Sequence, residues 1–289
     1  MDISNFLQLL FGGLTLGSVY ALIALGLTMI LNSTDVINVA QGEIVMIGGV
    51  VAVVLVRQAG LPMPLAIVLT VLLAAALGGI IYAATIDPVK DAPAMTLVMI
   101  TLAGSMILSA AAGLLVGYDP MITPASASDQ PVHFMGAAIA PQAIWILAVA
   151  AASMVALHQF YNRTRIGQAM LACNVDRQLA TLMGINARAM VLGSFVVGAG
   201  FAGLAGALIV PLTSVNVLVG LTYTLKGFAA AVLGGLGNSM GAVIGGLALG
   251  MLEAFGGGVL STGYRDFITL TIILLLLIVR PQGILGSRL

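Results

Sequence analysis

The stretch YNRTRIGQAMLACNVDRQLATLMGINAR, residues 161–188, decides how the rest of the chain is read. It holds Arg163, Arg165, Arg177 and Arg188, four of the 10 basic residues, and it interrupts runs that are almost wholly apolar. Each charge at bilayer depth costs about 2.5–3.5 kcal/mol on insertion scales. The segment is therefore no lipid-spanning helix, yet it is too long and too patterned for a simple turn. Ala172, Val175, Leu179 and Leu182 recur at the spacing of one apolar helical stripe, with Asp176, Arg177 and Gln178 away from it. Gly167 and Gly184 punctuate its two ends, and Gly184 is placed as a C-terminal stop. This pattern predicts a short amphipathic helix. Its polar side carries few of the basic residues that a helix lying on lipid would need, so docking to a soluble protein is the preferred reading over docking to the lipid surface.

Working outward, the flanking sequence is membrane material. Hydrophobic residues make up 61% of the 289 and charged residues 7%, and mean hydropathy is +1.17. Apolar runs recur at about the 20 residues that cross a hydrocarbon core, without the alternation of barrel strands. The fold class expected is all-α, a polytopic transmembrane helical bundle of eight or nine spans over residues 1–289, as one domain. The spans fall near 6–32, 36–56, 62–84, 94–117, 140–160 and 189–211. Two more crossings, or one and a partial one, fit in 215–258, and a last span fits at 266–279.

Loop charge sets the orientation. The loop 118–139 carries Asp119 and Asp129 with no Lys or Arg, so it reads as external, while 161–188 reads as cytoplasmic. Lys90 falls inside on this scheme and Arg57 outside, against the rule. The N-terminus is expected outside, and nine spans would bring Arg280 and Arg288 inside. The opening MDISNFLQLLFGG lacks the basic region of a cleavable signal.

Two stretches suggest an internal repeat with interrupted helices: Ile37-Asn38-Val39 and Val215-Asn216-Val217 each precede a Gly-rich membrane segment. In VINVAQGEIVMIGG, residues 36–49, Asn38, Gln41, Gly42 and Glu43 cluster where an apolar run begins. A carboxylate there has to be paired, protonated or facing water. Glu43 and Gln41 either hold neighbouring helices or line a substrate path, together with Asn216. The small-xxx-small pairs Gly241/Gly245, Gly246/Gly250, Ala199/Gly203 and Ala202/Gly206 read as helix-packing sites. The cluster Gly234-Gly235-Leu236-Gly237-Asn238 would break a helix, as a re-entrant turn or a cytoplasmic hinge. Glu253 near a span end and Asp266 beside Arg265 read as interfacial or paired charges, and the isolated His133 and His158 as structural residues.

Several function classes are excluded or disfavoured. A net charge of zero and a pI near 6.7 argue against nucleic-acid binding. The single Cys173 rules out an internal disulfide or a cysteine-built metal cluster. No metal-ligand spacing, catalytic triad or nucleophile elbow appears, so no catalytic residue and no bound metal are expected. No GxxxxGK[ST] occurs, and the only lysines are Lys90 and Lys226, so any ATP and Mg would be bound by another chain.

The motifs GGLTLGSVYALIALGLTMI, INVAQGEIVMIGG, TRIGQAMLACNVDRQLATLMGIN, GFAAAVLGGLGNSMGAVIGG and RPQGILG, in that order along nearly the whole chain, resemble the branched-chain amino-acid ABC importer permeases of the LivH-like type. The resemblance implies a multi-pass subunit of the bacterial inner (plasma) membrane that pairs with a second, related permease. It also implies two cytoplasmic ATP-binding subunits and a periplasmic amino-acid-binding protein. Residues 164–186 correspond to the family's ATPase-coupling loop, with Arg165, Gly167, Ala172, Val175, Asp176, Leu179, Leu182 and Gly184 as its candidates. Leu171 stands where relatives commonly carry Arg, and Val39 replaces the aromatic of INFA(H/Q)GE. The alternative class is a stand-alone ion- or proton-coupled carrier or channel, which leaves the amphipathic segment without a purpose.

Overall fold

The computed structural model describes residues 3–89, 92–123, 132–134, 137–259, 270–271, 274–275 and 283–285. The protein is an all-α polytopic bundle. The helices are α1 (Ile3–Thr34), α2 (Gln41–Arg57), α3 (Met63–Ile81), α4 (Ala94–Val116), α5 (Pro141–Arg163), α6 (Arg165–Val175), α7 (Arg177–Leu182), α8 (Ala187–Ile209), α9 (Gly220–Gly234) and α10 (Ser239–Val259). Two three-residue strands, β1 (Val132–Phe134) and β2 (Ala137–Ile139), pair antiparallel in the loop before α5. The expected last span is described only at 270–271 and 274–275, which are helical; Lys90, Asp129, Arg265, Asp266, Arg280 and Arg288 lie outside the described residues.

The expected eight or nine spans are an approximate count. Among the described residues six helices are long and apolar enough to cross a membrane: α1, α3 with its extension to Val89, α4, α5, α8 and α10. At 17 and 15 residues, α2 and α9 are shorter than the ~20 that a full crossing takes. Both begin at mid-depth of the bundle rather than at one of its ends.

A helix apolar all round can face protein or lipid in a membrane bundle, and burial marks α1 and α8 as the central ones. Their most apolar windows are 83% and 78% buried, against 22–33% for α3, α4 and α5, whose apolar side chains face outward. Small residues let the central helices approach. α1 and α8 cross where Gly26 meets Gly198; a Cβ on Gly26 would fall 2.5 Å from the Gly198 carbonyl oxygen. Ala199 and Gly203 face α3, Gly206 faces α2, Gly241 and Gly245 face α9, and Gly246 and Gly250 face α1. This is the packing expected where apolar lipid gives helices no hydrophobic reason to associate.

The contacts repeat with a twofold relation. α1 packs on α10 and α9 as α8 packs on α3 and α2. α2 runs in the same direction as α8, whereas α9 runs the opposite way, from its start beside α2 to its end beside Gly241. Two helices that start together inside the bundle and leave in opposite directions are an inverted pair. The Gly-rich cluster 234–238 is the turn between α9 and α10. Gly235 and Gly237 have φ of +112° and +85°, and Asn238 caps α10 through Met240 N at 3.0 Å and Gly241 N at 3.1 Å. Asn32 near the end of α1 donates to Gly237 O at 2.8 Å, which places this turn at the same end of the bundle.

Candidate functional site: two interrupted helices and a surface segment

The interior site is built by two chain reversals. Asp35, with φ +56°, ends α1 in the left-handed region that Asp tolerates better than most side chains. Residues 35–40 then run back into the bundle without helical structure. Gln41 Nε2 donates to Gly198 O at 3.0 Å, at the middle of α8. The neighbouring Gly26 lies eight residues before the end of α1, so α2 starts about 12 Å inside it at 1.5 Å per residue. At the second reversal, residues 210–219 lead into α9.

Each reversal uses the same device. Asn38 Oδ1 accepts from Ala40 N at 3.1 Å, and Asn216 Oδ1 accepts from Leu218 N at 2.9 Å. Gln41 N reaches Asn38 O at 3.3 Å, and Val219 N reaches Asn216 O at 3.4 Å. A short side-chain acceptor satisfies backbone donors that the interrupted helix leaves free. The two starts then meet. Gly42 N donates to Thr224 Oγ1 at 3.0 Å, Thr224 Oγ1 donates to Val39 O at 2.9 Å, and a Cβ on Gly42 would overlap the Gly220 carbonyl oxygen. The Glu43 carboxylate lies against Gly220, near two helix N-termini whose dipoles favour negative charge.

Helix α4 straps both reversals. Thr101 Oγ1 accepts from Val39 N at 3.3 Å, and Ser109 Oγ donates to Val217 O at 2.8 Å. Val215 is also bridged to Met121 in the loop after α4, by N–H to carbonyl bonds of 2.7 and 2.8 Å.

Of the residues expected to share a path, Asn38, Gln41, Gly42 and Glu43 are brought together and buried. Asn216 stands half-buried at the other reversal, with its side chain bonded locally. Asn38 Nδ2, Gln41 Oε1 and Glu43 Oε2 are buried without hydrogen-bond partners among the described residues. Unsatisfied buried polar atoms are rare and need a reason. Thr101, Ser109, Gly220 and Thr224 belong to this site and were missed by reading the sequence. Single hydroxyls in apolar helices more often bond their own backbone, so their only signal was position.

The surface segment is shaped by local signals. Thr164 caps α6 by accepting from Gly167 N at 3.0 Å. Asp176 ends α6 and caps α7, its Oδ1 accepting from Gln178 N at 2.8 Å and Leu179 N at 2.9 Å. The single amphipathic helix expected is thus two helices broken at Asp176. The reason is physical: an aspartate that captures two amide donors favours a helix start over a helix interior. Gly184, with φ +85°, closes α7; its N–H meets Thr181 O and Ile185 N meets Ala180 O, both at 3.0 Å. That pair of bonds is a Schellman motif. Asn186 caps α8 through Ala189 N at 3.1 Å.

The face that packs on the bundle is Met170, Cys173, Ala180 and Ala187. Burial pushes the Cys173 thiol above its ordinary value, with Arg177 opposing. Gly167 is buried against the Phe160 carbonyl, inside the first turn of α6. The opposite side is open: Val175 is 89%, Leu182 82% and Leu179 60% exposed, and Ala172, Arg165 and Gly184 are exposed with them. Arg188, just beyond the segment, forms a two-pronged ion pair with Asp87, one arm being Nε to Oδ1 at 2.7 Å. Asp87 follows a π-helical turn, Tyr82–Ile86, so the end of α3 is tied to the start of α8.

Inverted, interrupted helices around a polar centre, with a capped segment at one end, define a permease bundle. The chain belongs to the branched-chain amino acid transport system permease component family, whose model matches residues 9–277. It is 36% identical to the high-affinity branched-chain amino acid transport system permease protein LivH of Escherichia coli, over 97% of this chain and 96% of that protein. It is 34% identical to BraD of Pseudomonas aeruginosa, over 99% and 97%. The ribose import permease RbsC of Haemophilus influenzae is 28% identical over 82% of this chain. Among solved structures, PsaBC from Streptococcus pneumoniae in complex with Fab is similar in fold, with a TM-score of 0.50 and 15% identity over 94% of this chain and 91% of that one.

Proposed function

We propose that this chain is a multi-pass inner-membrane permease subunit of an ATP-driven importer for branched-chain or related amino acids. It works with a second, related permease, two cytoplasmic ATP-binding subunits and an external binding protein. The observation that carries the ATP-driven reading is the exposed apolar row Val175, Leu179, Leu182 and Met183, beside a face that already packs on the bundle. This chain has no P-loop, so such a row supports docking of a separate motor. Motor closure would push α6 and α7, and the Arg188–Asp87 pair would pass the movement to α3 and α8 together.

The moving bundle opens and closes the seam at Asn38, Gln41, Gly42, Glu43 and Asn216. The unpartnered amide and carboxylate atoms there would bond a polar cargo as the reversals part.

Leu179→Asp puts a charge in the docking row. Gly184→Pro demands φ near −65° where the chain has +85°. Both variants are expected to insert normally and to lose amino-acid uptake, at least about tenfold, while the motor's ATP hydrolysis stops responding to the permease. Wild-type uptake by both variants in proteoliposomes would sink the coupling assignment. Uptake that persists with the ATP-binding subunits absent would favour a stand-alone carrier instead.

A further inference from the structure

Tyr20 of α1, Lys226 of α9 and Glu253 of α10 form a charged group that the seam leaves aside. Lys226 Nζ lies 2.9 Å from Glu253 Oε1 and 3.3 Å from the Tyr20 hydroxyl, which donates to Glu253 Oε2 at 2.9 Å. The Lys226 ammonium also stands 5.5 Å from the centre of the Tyr20 ring. The side chains of Lys226 and Glu253 are 14% and 4% exposed. Ionisable groups inside a membrane bundle are costly to keep, which makes them functional candidates by default. A pair of apolar residues would pack the same space without the desolvation penalty.

The position of Lys226 on α9 adds a second observation. Leu221, Thr222 and Leu225 of this helix are exposed, Tyr223, Thr224 and Gly227 are buried, and Lys226 is half-buried between the two sets. Lys226 therefore stands at the edge of the open face of a helix that begins at the central seam, with Glu253 buried behind it. Its net charge is zero, and an amino acid also carries one positive and one negative group with a net charge of zero.

We propose that Lys226 and Glu253 recognise the zwitterion of the cargo by exchanging partners. The cargo α-carboxylate replaces Glu253 at Lys226, and the cargo ammonium replaces Lys226 at Glu253. The exposed leucines of α9 lie alongside for an aliphatic side chain. When the site is empty the two side chains neutralise each other, so neither state carries an unpaired charge into the bundle. Tyr20 holds Glu253 in place through the exchange. The inference rests on the amino-acid reading of the cargo.

The test uses the complete importer in proteoliposomes with L-leucine as the probe. It compares the wild type, the neutral pair Lys226→Met/Glu253→Gln, and the reversed pair Lys226→Glu/Glu253→Lys. Both variants are expected to assemble with the ATP-binding subunits and to lose uptake by about tenfold or more, the size of effect that charge-assisted hydrogen bonds carry. Should the neutral pair fail to assemble, the reversed pair still carries the test, because it keeps an ion pair between α9 and α10. Wild-type uptake by either variant would overturn the proposal and leave a structural ion pair. A wild-type complex that imports an uncharged solute but no amino acid would overturn the cargo reading and this proposal together.

Discussion

Replacing Gly42 with Ala is expected to abolish uptake and to lower the thermal midpoint of the purified permease. A Cβ at this position would overlap the Gly220 carbonyl oxygen and both the hydroxyl and the amide of Thr224. These neighbours are backbone or hydrogen-bonded to it, and none is the far end of a flexible side chain. Gly42 N itself donates to Thr224 Oγ1, which donates onward to Val39 O, so neither helix start can retreat without breaking bonds. Overpacking costs about 1–3 kcal/mol where side chains can shift, and more where backbone meets backbone. Gly104 and Gly12 serve as controls, since nothing lies within 4 Å of a Cβ on either. In those helices Ala gains up to about 1 kcal/mol in propensity, so their midpoints hold or rise. Equal midpoints and equal uptake for Gly42→Ala and the controls would show that α2 and α9 do not meet end to end.

The second large effect concerns Lys226 and Glu253. Removing Lys226 alone by Lys226→Met leaves the Glu253 carboxylate 4% exposed, still accepting from the Tyr20 hydroxyl. Breaking a buried pair in this way costs about 3–5 kcal/mol, because one charge stays behind uncompensated. The double variant Lys226→Met/Glu253→Gln removes both charges and keeps a hydrogen-bonding amide for Tyr20. It is expected to recover most of the stability lost by the single variant. Detergent melting curves of the wild type, the two single variants Lys226→Met and Glu253→Gln, and the double variant measure this directly. Additive losses, with the double variant worse than either single change, would contradict a coupled pair. Stability recovers here while uptake does not, which separates holding the bundle together from handling the cargo.

The surface segment was legible in the sequence because its structure is local. Thr164, Asp176, Gly184 and Asn186 each act on backbone groups a few residues away, and the apolar row is a matter of spacing. Even there, the break at Asp176 escaped the periodicity, since a stripe counts positions and ignores a side chain that captures two amides. The polar centre was half legible. Asn38, Gln41, Gly42 and Glu43 stand out as polar residues in an apolar run. Thr101 and Thr224, which bond this stretch, and Ser109, which bonds the other reversal, do not, because each is a lone hydroxyl far away in the chain. The faint echo of Ile37-Asn38-Val39 in Val215-Asn216-Val217 became an inverted pair only once both reversals had been seen to meet.

The sequence by itself determined the membrane bundle, the helical class, the segment that lipid rejects and the family to which the chain belongs. The first three follow from composition, from runs as long as a bilayer is thick and from short-range capping, all of which act within one stretch of chain; the family follows from the motifs shared with its relatives. The tertiary structure alone decided that α2 and α9 are short helices starting inside the protein, that α4 bonds to both reversals, and that Lys226 faces Glu253. Those facts join residues from distant stretches, such as Lys226 of α9 and Tyr20 of α1, and no local propensity carries them. They depend on glycines that let backbones touch and on buried polar groups that must find partners wherever the fold brings them.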